Sequence, residues 1–154
     1  MKMAKKLVFK LKEKSLHISF AESCTGGMCV SKLVDISGSS AVLNSSFVTY
    51  SREAKIDLLG ADPEIIDKFG IVSEETALQM AKGAALKSGT EVGVGITGLA
   101  GPGGDGVNPV GTVCFGFIIQ GKEYSFKCLF KNKKRNAVRA TAVKFVYKKL
   151  NEMI

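Results

Sequence analysis

LHISFAESCTGG, residues 16–27, runs from a short apolar segment into a carboxylate, a hydroxyl, a thiol, a second hydroxyl and two glycines. It reads as a strand, Leu16 to Phe20, turning into a helix that opens at Thr25-Gly26-Gly27 and runs to about Val34. A turn of this kind lies at the carboxyl end of its strand, where open α/β sheets bind ligands. The start of the following helix offers free N–H groups to an anion or an oxyanion. On these residues alone three readings of Glu22–Gly27 stay open: a serine nucleophile, a phosphate cradle, or a helix cap supplied by Ser23 or Thr25.

The flanking sequence predicts the rest of the layer order. Met3 to Lys14 reads as a first helix. Leu43 to Thr49 is rich in β-formers and reads as a strand, followed by a helix from Ser51 to Leu58 that stops at Gly60. Asp62-Pro63-Glu64 opens a short helix with proline in its first turn. Ser73-Glu74-Glu75 is a cap followed by acids at the positive end of a helix dipole, and that helix runs to about Lys87. Val92 to Thr97 is a strand of small residues leading into a glycine-rich loop, Gly98 to Pro109. Gly111–Ile119 and Glu123–Phe130 form a hairpin around Gln120-Gly121. Arg135 to Leu150 closes the chain as a helix with an apolar stripe at Val138, Ala142, Phe145 and Val146. Strands alternating with helices early, and a hairpin late, predict a mixed sheet between helical layers: a three-layer α/β/α sandwich in a single domain over residues 1–154.

Composition narrows the function classes. At 154 residues, with 45% hydrophobic and 23% charged residues, the chain is long enough for one domain with a sizeable core. No apolar run reaches the roughly 18 residues of a membrane span, and lysines interrupt the basic N-terminus, so no signal peptide is expected and the location is read as cytoplasmic. The four cysteines, Cys24, Cys29, Cys114 and Cys128, form no CxxC pair, and His17 is the one histidine, which argues against a zinc cluster and for reduced thiols. The formal net charge of +8 falls entirely after residue 121. That excess fits a site for an anionic small molecule, a nucleic-acid footprint or a solvated face; interleaved aromatics and nucleic-acid-binding motifs are lacking, so no nucleic-acid partner is expected.

Four stretches carry chemistry. In the first, Ser23 needs a base, and His17 lies inside the apolar run and away from the turn, so a Ser-His-Asp triad is excluded by inventory. A lysine base remains, if burial or a neighbouring positive charge lowers its pKa. Cys24 is a rival nucleophile on chemical grounds. In the second, Phe47 to Lys55, Tyr50 ends a strand and Lys55 follows about a helical turn on, placing a phenol and an amine near one strand end. In the third, GITGLAGPGGDG (95–106), glycine lets backbone approach a ligand closely; it does not match a P-loop. In the fourth, Lys131 to Arg139, Lys133, Lys134 and Arg135 crowd a helix N-terminus, where the dipole disfavours cations. Arg135 and Arg139 share one helix face, an arrangement suited to a bound phosphate.

AESCTGG (21–27), DISGSSAV (35–42), FVTYSREAKIDLLG (47–60), GIVSEETA (70–77), GITGLAGPGG (95–104) and PVGTVCFGF (109–117), in this order, resemble the CinA C-terminal domain family. The resemblance spans nearly the whole chain. Characterised enzymes of that family are nicotinamide-nucleotide amidases, which convert nicotinamide mononucleotide to nicotinate mononucleotide and ammonia. It therefore implies an α/β/α sandwich and an amidohydrolase that needs no metal or cofactor, with Ser23 as nucleophile, Lys55 as base and Tyr50 as relay or orienting group. Substrate contacts are expected from Glu22, Cys24, Thr25, Gly26 and Gly27, from Thr97, Gly98, Ala100 and Gly101, and from Arg135 and Arg139. The oxyanion is expected on N–H groups of Cys24–Gly27 or Thr97–Gly101. A homo-oligomer is expected. The family's FxGDR segment before the last helix is here Phe130-Lys131-Asn132-Lys133-Lys134-Arg135, one residue longer and without the Gly-Asp pair. A non-catalytic nucleotide-binding or regulatory module with the same pocket is the alternative reading.

Overall fold

The computed structural model describes residues 2–154. In chain order the elements are α1 (Lys2–Glu13), β1 (Ile18–Glu22), α2 (Met28–Val34), β2 (Phe47–Val48), α3 (Arg52–Leu59), α4 (Pro63–Phe69), α5 (Glu74–Ser88), β3 (Val92–Gly98), β4 (Thr112–Ile119), β5 (Lys122–Leu129) and α6 (Arg135–Met153), with a single 3₁₀ turn at Ser39–Ala41. The five strands form one mixed sheet in the order β2-β1-β3-β4-β5. β1 runs parallel to β2 and β3, with Glu22 beside Val48 on one side and Ile96 on the other; β4 is antiparallel to β3, and β5 to β4.

Alternation within the strands assigns the two faces of the sheet. Ile18 and Phe20, Val92, Val94 and Ile96, and Val113, Phe115 and Phe117 point to one face and are buried with α1, α2 and α6. Burying each such side chain contributes roughly 1.5–3 kcal/mol. Val138, Ala142 and Val146 of the α6 stripe are fully buried here, and Phe145 packs on Phe115 with ring centroids 4.5 Å apart. The opposite face is made of the intervening small residues. A Cβ on Gly93, Gly95 or Gly116 would collide with backbone oxygens of α5, so α5 lies directly on the sheet through Ala77, Met80, Ala81 and Ala84, with α3 and α4 beside it. This is the α/β/α sandwich expected.

Three elements differ from the expectation: β1 is Ile18–Glu22 rather than Leu16–Phe20, so the strand runs into the motif itself. The strand over 43–49 shrinks to Phe47–Val48, with one isolated bridge between Ile18 and Leu43. Side chains have taken the ladder's place: the Ser46 hydroxyl accepts from Phe20 N–H (3.0 Å), Asn44 donates to Ser88 O, and Ser45 bonds Ser88. The second helix starts at Met28 rather than Thr25, because Gly26 and Gly27 sit at φ +57° and +92°, outside helical space. The predicted cap at Ser73 forms, its hydroxyl accepting from Thr76 N–H, and Ser51 caps α3 in the same way through Ala54 N–H.

Candidate active site

Parallel β2, β1 and β3 all end at the same edge of the sheet. Their carboxyl ends therefore bring together the first three chemistry-bearing stretches, and β5, also directed toward that edge, delivers the start of α6 to it. The crevice between β1 and β3 is the point where successive connections leave in opposite directions, the position open α/β sheets use for ligands.

Lys55 lies in the first turns of α3, fully buried, with Nζ 3.4 Å from Ser23 Oγ. The same ammonium donates to the carbonyls of Thr49 (2.8 Å), Tyr50 (3.2 Å) and Ser51 (3.4 Å). No carboxylate pairs with it in this shell, and burial lowers its pKa to about 8. Carbonyls only accept. When Lys55 is neutral, its two remaining N–H bonds can stay on them, and the Ser23 hydroxyl is the one neighbour able to donate to the nitrogen lone pair. The cage thus leaves the Ser23 hydroxyl as the proton donor to a neutral Lys55. Burial pushes the Cys24 thiol the other way, up to about 11, so the sulfur stays protonated near neutrality.

Glu22 is a helix cap. Its buried carboxylate accepts from Gly27 N–H and Cys29 N–H (3.1 Å each) and from Val30 N–H (2.9 Å). The negative charge at the start of α2 thus comes from within the motif, and neither Ser23 nor Thr25 caps that helix. Gly26 N–H is held by Ser23 O, and Met28 N–H by Thr25 O. Cys24 N–H lies against its own sulfur. Among the described residues no acceptor meets the N–H groups of Thr25, Ala100 and Gly101.

Cys24, Tyr50, Gly98, Leu99, Ala100, Gly101, Gly103 and Arg135 line a cavity of about 130 Å³ beside Ser23. Pockets that engulf a whole drug-sized ligand hold roughly 300–1,000 Å³, so this one takes a ring-sized portion and leaves the remainder outside. Tyr50 is 63% exposed; its hydroxyl accepts from Arg135 (3.1 Å), whose guanidinium also donates to Gly101 O. The phenol faces the cavity wall, and Tyr50 meets Lys55 through its carbonyl. Arg139 donates to Cys24 O (2.9 Å) and Thr25 O (3.3 Å).

Ser23, Cys24, Tyr50, Lys55, Gly98, Ala100, Gly101 and Arg135 are thus brought to one place. Thr97 is turned away: its hydroxyl donates to Ile71 O (2.9 Å). Gly26 and Gly27 line a separate surface hollow with Met28, Ser31 and Lys32. The sequence reading missed Thr49 and Ser51, whose carbonyls hold Lys55, and Gly103 in the cavity wall. Thr49 and Ser51 flank Tyr50, so a strand end followed by a capped helix was the available signal. A larger hollow, about 350 Å³, lies at the opposite end of the sheet among His17, Asn44 and Ser88. His17 there meets Glu91 and bonds no serine, so that hollow holds no nucleophile–base pair.

The sequence profile of the CinA C-terminal domain family matches residues 1–154. A CinA-like protein from Kosmotoga olearia is 44% identical over 148 residues, covering 94% of this chain and 36% of that protein. A CinA-like protein from Dictyoglomus thermophilum is 47% identical over 130 residues, 84% of this chain and 31% of that protein. The chain spans about a third of the length of these curated relatives. Among solved structures, a CinA superfamily protein from Escherichia coli superposes with TM-score 0.95 at 32% identity, covering 99% of this chain and 88% of that one. A competence/damage-inducible protein from Agrobacterium tumefaciens does so with TM-score 0.92 at 38% identity, covering 97% and 92%. Profile, relatives and structures agree over nearly the full length: the chain belongs to the CinA C-terminal domain family.

Proposed function

We propose that the protein is an amidohydrolase that converts nicotinamide mononucleotide to nicotinate mononucleotide and ammonia. The observation that carries the reading is the buried Lys55 amine 3.4 Å from Ser23 Oγ, at the end of the sheet where three strand termini meet. Neutral Lys55 takes the Ser23 proton as Oγ bonds to the carboxamide carbon. The oxyanion falls to the N–H groups of Thr25, Ala100 and Gly101, which have no acceptor among the described residues. Collapse breaks the C–N bond, Lys55 returns the proton to the leaving nitrogen, and ammonia departs. Water, deprotonated by Lys55, then hydrolyses the acyl ester and frees Ser23. A base with a pKa of about 8 is well matched to this work near neutral pH.

The cavity is the place for the pyridine ring, with the ribose and phosphate toward the solvent side. Arg135 keeps unused donors there. It lies at the start of α6, which has no side-chain cap, so the phosphate finds both a guanidinium and free helix N–H groups. No helix among the described residues is long and apolar enough to cross a membrane. A cytoplasmic homo-oligomer accompanies this reading; sedimentation velocity of the purified chain tests its assembly.

The test is ammonia release from nicotinamide mononucleotide. Wild type and Cys24→Ala should hydrolyse it, and Ser23→Ala should not while keeping its fold. If Cys24→Ala is the dead variant and Ser23→Ala the live one, the enzyme is a thiol amidase. Binding without ammonia release by wild type would instead establish a nucleotide-binding module.

A further inference from the structure

Arg139 is half-buried on α6 and makes no ion pair within the described residues; its side-chain partners are Cys24 O, Thr25 O and Asn136 Oδ1. A guanidinium with two donors committed to the backbone of the turn after Ser23 is poorly placed as a free phosphate ligand. Its effect on that turn follows from peptide geometry. A trans peptide is planar, with its C=O and N–H pointing in opposite directions, and Gly101-Pro102 is the one cis bond among the described residues. Holding Cys24 O therefore fixes the direction of Thr25 N–H, which has no acceptor among the described residues. Holding Thr25 O fixes Gly26 N–H toward Ser23 O, and that bond in turn sets the Ser23–Cys24 peptide. Glu22 pins the other side of the turn through Gly27, Cys29 and Val30 N–H. An anion thus occupies the turn's N–H side and a cation its C=O side, leaving Thr25 N–H aimed by both.

Resting on the amidase reading, we propose that Arg139 is a positioning residue for the oxyanion site: it acts through the Cys24–Thr25 peptide to orient and polarise the N–H that receives negative charge once Ser23 attacks. A charge-assisted bond to a carbonyl strengthens the donor at the other end of the same peptide. Gly26 belongs to this device: its backbone sits at φ +57°, a conformation that favours glycine, and a Cβ there would only touch the guanidinium, at 3.4 Å.

The experiment compares wild type with Arg139→Gln and Arg139→Lys on nicotinamide mononucleotide and its dephosphorylated riboside, with thermal melts of each protein. Displacement of a reacting arrangement by about an ångström can cost roughly 100-fold. The expected loss for Arg139→Gln is therefore about 10- to 100-fold in kcat, by the same factor for both substrates, with KM changed little and the alkaline pH midpoint unmoved. Arg139→Lys, which keeps the charge but lacks the planar fork, should recover part of kcat. A loss confined to KM of the phosphorylated substrate makes Arg139 a phosphate ligand and overturns the proposal, as does an undiminished kcat. A second arm needs no amide: a fluorophosphonate forms an Oγ–P bond on Ser23 with loss of fluoride and passes its charge through the same site. Labelling of Ser23, followed by mass spectrometry, should slow in Arg139→Gln by a factor similar to that in kcat. Wild type that labels but releases no ammonia would reject the substrate assignment while the labelling ratio still decides Arg139. Ser23 left unlabelled in wild type, or labelled equally fast in Arg139→Gln, would defeat the positioning role.

Discussion

Lys55 exchanges the solvation of an ordinary surface lysine for three backbone carbonyls and a serine hydroxyl. Its pKa is lowered by burial to about 8 from a usual value of 10.5, which makes two predictions. The first is kinetic. Lys55 must be neutral to accept the Ser23 proton, so kcat/KM should rise about tenfold per pH unit up to a midpoint near 8 and level off above it. A profile flat from pH 6 to 9 would remove Lys55 as the base. The second concerns stability. Between the folded and unfolded pKa values the unfolded chain binds the proton and the folded chain does not, so Lys55 makes stability rise with pH in that window. Below about pH 8 the full penalty of the buried ammonium is present. Cys24, raised by burial to about 11, acts in the opposite sense: its contribution is complete below the ordinary thiol pKa and is lost as pH rises toward the folded value. The difference in Tm between Lys55→Met and wild type isolates the lysine. That difference should shift in favour of wild type as pH is raised from about 8 to about 10, and a constant difference would contradict the buried, depressed amine.

At the scale of elements, two devices set the site. One is the turn between β1 and α2. Two left-handed glycines delay the helix by three residues from its expected start, and the Glu22 carboxylate then serves as its cap. The motif's carboxylate therefore organises the surroundings of Ser23. The other is the contact of α5 with β3 and β4. Gly93, Gly95 and Gly116 allow the helix backbone to rest on the sheet, on the strand that leads into the glycine loop. Gly95→Ala should be destabilising, because its Cβ would enter the Ala77 carbonyl and the obstacle is backbone. Overpacking of this kind costs about 1–3 kcal/mol or more, which lowers Tm by roughly 2–12 °C for a chain of this size. Gly103→Ala, where a Cβ meets nothing within 4 Å, is the control and should melt like wild type. Equal melting of the two variants would mean that α5 does not lie this close.

At the scale of the molecule, the sheet separates two polar ends. Ser23, Lys55 and the start of α6 gather at one end; His17 and Glu91 lie at the other, joined to each other. Nowhere among the described residues do three His, Cys, Asp or Glu side chains converge in a way that could hold a metal ion. We therefore expect His17→Gln, and separately EDTA, to leave the rate of ammonia release unchanged. Loss of activity in chelator with recovery on adding a divalent ion would point to a metal-dependent step; a slow His17→Gln enzyme would show that the two ends communicate.

Much of this protein can be read before folding is considered. Apolar spacing, caps and turn residues placed both hairpin strands and the helices apart from the start of α2, because these signals act over a few neighbours. Inventory excluded a histidine base, because only one histidine exists and it sits in the apolar run before the turn. The resemblance carried by AESCTGG and FVTYSREAKIDLLG implied Ser23 and Lys55. Tertiary structure decided what each polar group does once it has a neighbour. Spacing cannot show that Glu22 directs its charge onto three backbone N–H groups, that Thr97 turns toward Ile71, or that Arg139 reaches back across more than a hundred residues to Cys24. Nor can it show that side-chain bonds from Asn44, Ser45 and Ser46 shorten β2, since Ser46 replaces a ladder partner only when β1 lies beside it. These outcomes depend on register and burial, which are set by the whole sheet, whereas helix and turn signals are set by the residues themselves.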